Sequence, residues 1–226
     1  MAVPLPGLSD LEAAAGLVYE HMQASAQLQW PLLNARCGCE VWVKHENHNP
    51  TGAFKVRGGL VYLQRLKNAH PELQGLVTAT RGNHGQSVAF AAGKHGLRSL
   101  VVVPRGNNSD KNRAMLALGA QLEEHGEDFD AALPRARELA AESGLHRMPS
   151  FHMDLVHGVA SYSLELLRAQ PDLQRVYVPV GLGSGICGMV CARNALGLQT
   201  EIVGVVSTQA DCYARSLAAG ECISTV

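Results

Sequence analysis

No apolar stretch in this chain reaches membrane-spanning length, and no basic N-terminal segment is followed by an apolar run. The first absence argues against a bilayer protein and the second against a secretory leader, so a cytoplasmic protein is expected, with no membrane partner. Charge is also scarce. Only 17% of the 226 residues carry it, 19 Lys and Arg against 20 Asp and Glu, and no basic stripe stands out. Nucleic acid is therefore not an expected partner. The six cysteines show no zinc-finger spacing, and no His-Glu-x-x-His occurs. Cys37-Gly38-Cys39, or Cys187 with Cys191 one helical turn on, could each hold half a metal site, but no second pair follows. The expectation is buried free thiols and no metal. His45 and His48 form an H-x-x-H that needs no metal. Internal repeats and low-complexity linkers are missing too.

What is present is a chain that is 46% hydrophobic, enough for a substantial core in one large or two modest domains. Ser9-Asp10-Leu11-Glu12 reads as a capping box that opens a helix through Ala14, Val18 and Met22. From there strand and helix patterns alternate. Strands are predicted at 40–44, 76–79, 100–104, 176–180 and 202–206. Helices are predicted after Lys55, over 88–92 to a stop at Gly96, and over 128–142, 162–168, 185–196 and 210–219. The apolar run 100–104 suits a strand buried on both faces. Pro134 is expected to start or kink its helix. Alternation of this kind implies an α/β fold with parallel sheets.

Three segments carry chemistry. In Glu46-Asn47-His48-Asn49-Pro50-Thr51-Gly52-Ala53-Phe54-Lys55-Val56-Arg57, one lysine follows a Pro-Thr-Gly turn beside an aromatic residue. Desolvation there lowers an amine's pKa, and a neutral amine condenses with an aldehyde cofactor. On spacing alone, a solvated lysine at a helix start is the competing reading. Gly181-Leu182-Gly183-Ser184-Gly185 lies between an apolar strand and a helix, where backbone N–H groups and the helix dipole favour a phosphate. Residues 183–188 also satisfy G-x-G-x-x-G, but the next strand ends in Ser207 rather than the acid a dinucleotide ribose needs. A plain tight turn is the other alternative. Thr80-Arg81-Gly82-Asn83-His84-Gly85-Gln86 ends a strand and begins a helix, so its amides could receive a second anion, or Asn83 could merely cap the helix.

Together, and in this order, the three segments resemble the lysine motif, the Ser-x-Gly-Asn-His loop and the glycine-rich loop of the pyridoxal-phosphate (PLP) enzymes of the serine/threonine dehydratase family, fold type II. Weaker similarity runs from Trp30-Pro31-Leu32 to Gly204-Val205-Val206. The resemblance implies two α/β lobes, with residues 61–149 a small lobe inserted between parts of a large one (1–60 and 150–226). It implies a lyase of amino-acid metabolism, an ammonia-lyase that converts a β-hydroxy amino acid to a 2-oxo acid, and a possible homodimer. Lys55 would carry PLP beside Phe54, Gly181, Gly183, Ser184 and Gly185 would hold its phosphate, and Asn83 would reach its 3′ oxygen. Thr80, Arg81, Gly82, Asn83 and His84 would hold the substrate carboxylate.

The pattern also breaks. The family continues past residues 220–226 and there supplies the group that faces the pyridine nitrogen. The large lobe is thus expected to be incomplete, with 202–206 partly uncovered. Val206, Ala210 and Cys212 stand where some relatives bind a divalent cation, and neither Val206 nor Cys212 offers an oxygen ligand. Arg81 replaces the serine that racemases use, which disfavours racemisation. It could instead pair with a second substrate carboxylate. A non-catalytic PLP-fold scaffold or partner subunit remains the alternative from another class.

Overall fold

The computed structural model describes residues 5–224; Thr225 and Val226, at the end of the segment expected to continue, lie outside them. Helix α1 (Leu8–Tyr19) buries Leu11, Ala14, Ala15 and Val18, but it ends before Met22, which is buried just after it. Its start differs from expectation. Gly7, not Ser9, is the cap, and its amide donates to Asp10 Oδ2 at 3.0 Å. An acid three residues into the helix reaches back to the free N–H, so Glu12 is not needed there.

Strands β1 (Gln27–Gln29) and β2 (Trp42–Lys44) pair antiparallel around helix α2 (Pro31–Cys37). A 3₁₀ turn at Glu46–His48 then leads to α3 (Lys55–Ala69). The thiols are free, but the expectation of burial fails. Cys37, Cys39 and Cys222 are exposed, Cys187 and Cys212 half-buried, and only Cys191 is buried. Cys37 and Cys39 sit at the end of α2, which buries none of its residues.

The central sheet is parallel, in the order β5 (Gln121–Glu124), β4 (Arg98–Val103), β3 (Gly75–Ala79), β6 (His146–Arg147). Its apolar runs serve two faces. Val77, Ala79 and Val102 pack on Ala132, Ala136 and Leu139 of α6 (Phe129–Ser143). Leu76, Val101 and Val103 face α4 (Asn83–Lys94) and α5 (Ser109–Ala117). Coverage on both sides is why strand 100–104 shows no alternation. Pro134 neither starts nor ends its helix but lies inside α6, whose cap is Asp128 accepting from Ala131 N at 2.8 Å. Pro134 and Asp130 are both exposed, so water can serve the Asp130 carbonyl that the proline cannot.

Helix α7 (Met153–Ala169) returns through the core, followed by β7 (Arg175–Pro179), α8 (Ser184–Ala195), β8 (Glu201–Val205) and α9 (Cys212–Ala219). Strands β7 and β8 pair parallel, so the α/β class holds. Their outer face is open, with Tyr177 63% and Val205 49% exposed.

Glycines let α3, α4 and α7 touch backbone to backbone. A Cβ on Gly158 would lie 2.3 Å from the Arg57 carbonyl oxygen, and one on Gly59 would lie 2.2 Å from Ser87 Oγ. Gly16, exposed within α1, has nothing within 4 Å of its Cβ position. Gly158→Ala is therefore expected to destabilise by about 1–3 kcal/mol through overpacking. Gly16→Ala should stabilise by about 0.4–1 kcal/mol by reducing unfolded-chain entropy. Urea unfolding checks both, and equal effects of the two changes would refute the close-packing account.

Candidate active site

The turn before α3 is organised by Asn49. Its Oδ1 accepts from the amides of Thr51 and Ala53, both at 3.1 Å, and its Nδ2 donates to the Glu46 carbonyl at 2.7 Å. Gly52 completes the turn at φ +64°, a conformation that favours glycine. Lys55 is thereby set at the first residue of α3, with Ser87 Oγ of α4 donating to its carbonyl at 2.7 Å. Its side chain is half-buried, and Nζ lies 5.4 Å from the Phe54 ring centre. Burial lowers its pKa.

Phe54 joins the lysine motif to the glycine loop. Its Cζ would lie 3.2 Å from a Cβ on Gly185, so any side chain there would crowd the ring. Gly183, at φ +98°, caps α8, and Ser184 is buried at that helix's first position. The loop is pinned by Tyr213 Oη donating to the Leu182 carbonyl at 3.0 Å, and by Tyr162 Oη reaching the Gly185 carbonyl at 3.4 Å. Gly181 and Gly185 complete this loop beside them.

In the third segment Thr80 is buried and its Oγ1 accepts from the Gly82 amide at 3.0 Å. Asn83 and Arg81 are exposed. His84 is buried, its Nε2 has no hydrogen-bond partner among the described residues, and burial first, then the Lys55 charge, pushes its pKa down to about 3.

Lys55, His84 and Ser184 line one small cavity with Gly58, Ser150, Leu155 and Val159. The structure thus brings together one member of each motif. Thr80, Arg81, Gly82 and Asn83 do not line it, and Gly183 lines a larger neighbouring cavity. Ser150, Leu155, Val159 and the organiser Asn49 were not singled out in the sequence. Asn before Pro-Thr-Gly is itself a turn signal that could have revealed Asn49.

The residues fit a PLP-type group in their chemistry: a desolvated amine, a helix N-terminus for a phosphate and an orphaned buried imidazole nitrogen. The space between them is only about 10 Å³, room for one water.

The depressed His84 pKa has a pH consequence. On acidification the unfolded chain protonates near 6.5 and the folded chain does not, so stability present above that pH declines as pH falls toward 3. The slope is about 1.4 kcal/mol per pH unit for one proton. His84→Gln should flatten the pH 6.5–5 decline by that one proton. An unchanged slope would refute a neutral buried His84.

A family model described as "Pyridoxal-phosphate dependent enzyme" matches residues 22–225. The biosynthetic L-threonine dehydratase IlvA of Pasteurella multocida is 33% identical over 205 residues, covering 90% of this chain and 40% of the relative. The catabolic L-threonine dehydratase TdcB of Escherichia coli is 29% identical over 187 residues, covering 82% and 56%. The chain therefore spans about 40% of the length of the biosynthetic relatives it matches. A solved threonine deaminase from T.th. superposes with a TM-score of 0.89 at 32% identity, covering 97% of this chain and 71% of its own. Maize serine racemase, with a TM-score of 0.91 but 24% identity, covering 98% and 68%, shows the fold alone. With its matched model over nine-tenths of its length and its three motifs meeting around Lys55, this chain belongs to the pyridoxal-phosphate dependent enzyme family.

Proposed function

We propose that this chain carries the catalytic core of a lyase that removes water, then ammonia, from a β-hydroxy amino acid such as threonine or serine. One observation carries the reading: the desolvated amine of Lys55 shares a cavity with Ser184 at the N-terminus of α8. The dehydratase relatives support the reaction class. PLP, when bound, supplies an aldehyde for amine capture and a ring that delocalises charge from the substrate's α-carbon.

This chain's residues do the rest. Lys55 is the attachment point, and its amine, neutral more readily than an exposed one, can take the α-proton. The amides of Gly181, Gly183, Ser184 and Gly185 receive the phosphate at the positive end of α8. Phe54 walls off water beside Lys55, and Asn83 reaches the cofactor's 3′ oxygen. Thr80, Arg81, Gly82 and His84 hold the substrate carboxylate, with His84 meeting it as a neutral imidazole. The small lobe of the reading spans residues 61–149. A cytoplasmic homodimer is part of the reading through the family resemblance alone; among the described residues no helix is long and apolar enough to cross a membrane.

A second reading, a scaffold that holds the cofactor weakly, is favoured by the small volume at Lys55, room for one water. Titration with PLP, followed by assay of 2-oxo acid release from threonine and serine, separates the two. Visible absorbance with turnover supports the lyase, absorbance without turnover supports the scaffold, and neither overturns both.

A further inference from the structure

A cavity of about 470 Å³ adjoins the Lys55 cavity, with Ser150 lining both and Gly183 and Ser184 lining one each. Its walls come from β3, α6, the segment after β6, the start of α8 and α9. They are mainly apolar and aromatic. In a chain with only four phenylalanines, Phe129 and Phe151 both lie here, with Tyr213 opposite. Two guanidiniums line it, Arg137 and Arg147, and among the described residues no carboxylate does. Arg57, Arg65, Arg105, Arg113, Arg135, Arg168 and Arg175 each have an acidic partner. Arg137 and Arg147 have neither a hydrogen bond nor an ion pair among the described residues. Arg81, the arginine that the sequence singles out, lines neither cavity.

Both arginines are exposed at the cavity's rim, so water screens them on one side while the apolar walls on the other strengthen their attraction for an anion that enters. A threonine side chain offers them a hydroxyl but no charge to pair with. We propose that this cavity receives the side chain of an amino-acid substrate that carries a second anion, a carboxylate or a phosphate, and that Arg147 and Arg137 select for it. The inference rests on the lyase reading for its chemistry, but not for the binding itself.

Calorimetry on the 226-residue chain, with and without PLP, compares L-3-hydroxyaspartate, O-phospho-L-serine and L-threonine. At least one anionic amino acid should bind about tenfold or more tighter than threonine, the scale of a charge-assisted pair. Whichever anion binds tighter names the carboxylate or the phosphate. Arg147→Gln and Arg137→Gln should each lose most of that preference, Arg147→Lys should retain part of it, and Arg113→Gln, a surface pair with Asp110, should leave it intact. Far-UV circular dichroism confirms that each variant is folded. Equal affinity for threonine and both anionic ligands, no binding of either anion to the folded chain, or a preference that survives Arg147→Gln and Arg137→Gln overturns the proposal. PLP absorbance is read separately. Preference without cofactor attachment would sink the lyase reading alone, and attachment without preference would sink this one alone.

Discussion

Lys55→Ala is expected to abolish borohydride-fixed attachment of PLP and to reduce any lyase turnover to background, while the protein stays folded. The side chain is half-buried and has no hydrogen-bond partner among the described residues; it meets the face of Phe54 and acts through its charge on His84. Burial already disfavours its charged form, so removing the amine takes away a desolvated group rather than a structural bond. The stability change should stay within about 1 kcal/mol. The competing amines are poorly placed. Lys44 is held by Glu165 at 2.5 Å and by the Ser25 carbonyl at 2.7 Å. Lys111 is the sharper control, because its chain passes within 2.3 Å of where a Gly82 Cβ would stand, beside the third motif. Mass mapping after reduction decides the matter. An adduct that persists in Lys55→Ala, on Lys111 or elsewhere, would show that the lysine assignment is wrong.

Periodicity and punctuation made much of this fold readable in advance. Strands β3, β4, β7 and β8 are apolar runs closed by turns, and α3, α4 and α8 follow the motif loops directly. Short polar elements were not readable. Strand β1 is Gln-Leu-Gln, β5 is Gln-Leu-Glu-Glu, and β6 is two residues long, so none carries a period; only pairing to a neighbour makes each a strand. The motifs name Lys55, His84 and Ser184, which the structure places around one small cavity. Ser150, Leu155 and Val159 arrive from α7 and the loop before it, outside all three motifs, with nothing local to mark them. The arginines show the same divide. Arg81 stood out because it interrupts a motif, whereas Arg147 acquires meaning only from the cavity that β6 helps to enclose.

Arg57 is the clearest case of a residue whose role only the fold reveals, and its replacement should be the most damaging to stability. It is fully buried two residues after Lys55. Nε and one terminal nitrogen grip Glu46 at 2.8 and 2.9 Å, and both terminal nitrogens grip Glu165 at 2.6 and 3.2 Å. Ser161 Oγ takes a further bond at 2.9 Å. Tyr19 Oη also donates to Glu165, at 2.8 Å, so α1, α3, α7 and the turn before α3 meet at one guanidinium. Arg57→Met fills similar volume but leaves the largely buried Glu46 without its cation and Glu165 with the Lys44 cation alone, at an expected cost of about 3–5 kcal/mol. That is a large share of the roughly 5–15 kcal/mol typical of a whole domain. The pH dependence tests the cause. Burial raises the Glu165 pKa, but the bonds from Arg57, Lys44 and Tyr19 outweigh it and hold the carboxyl below its usual range. Glu165 therefore contributes stability above its unfolded pKa, and that contribution is lost as pH falls through the folded one. Without Arg57 the principal counterweight is gone, burial acts with far less opposition, and protonation relieves the fold instead. The gap between wild type and Arg57→Met in urea unfolding should be wide at pH 7 and narrow toward pH 4. A gap below about 1 kcal/mol, or one of equal size at both pH values, would mean that packing and not charge is what Arg57 contributes.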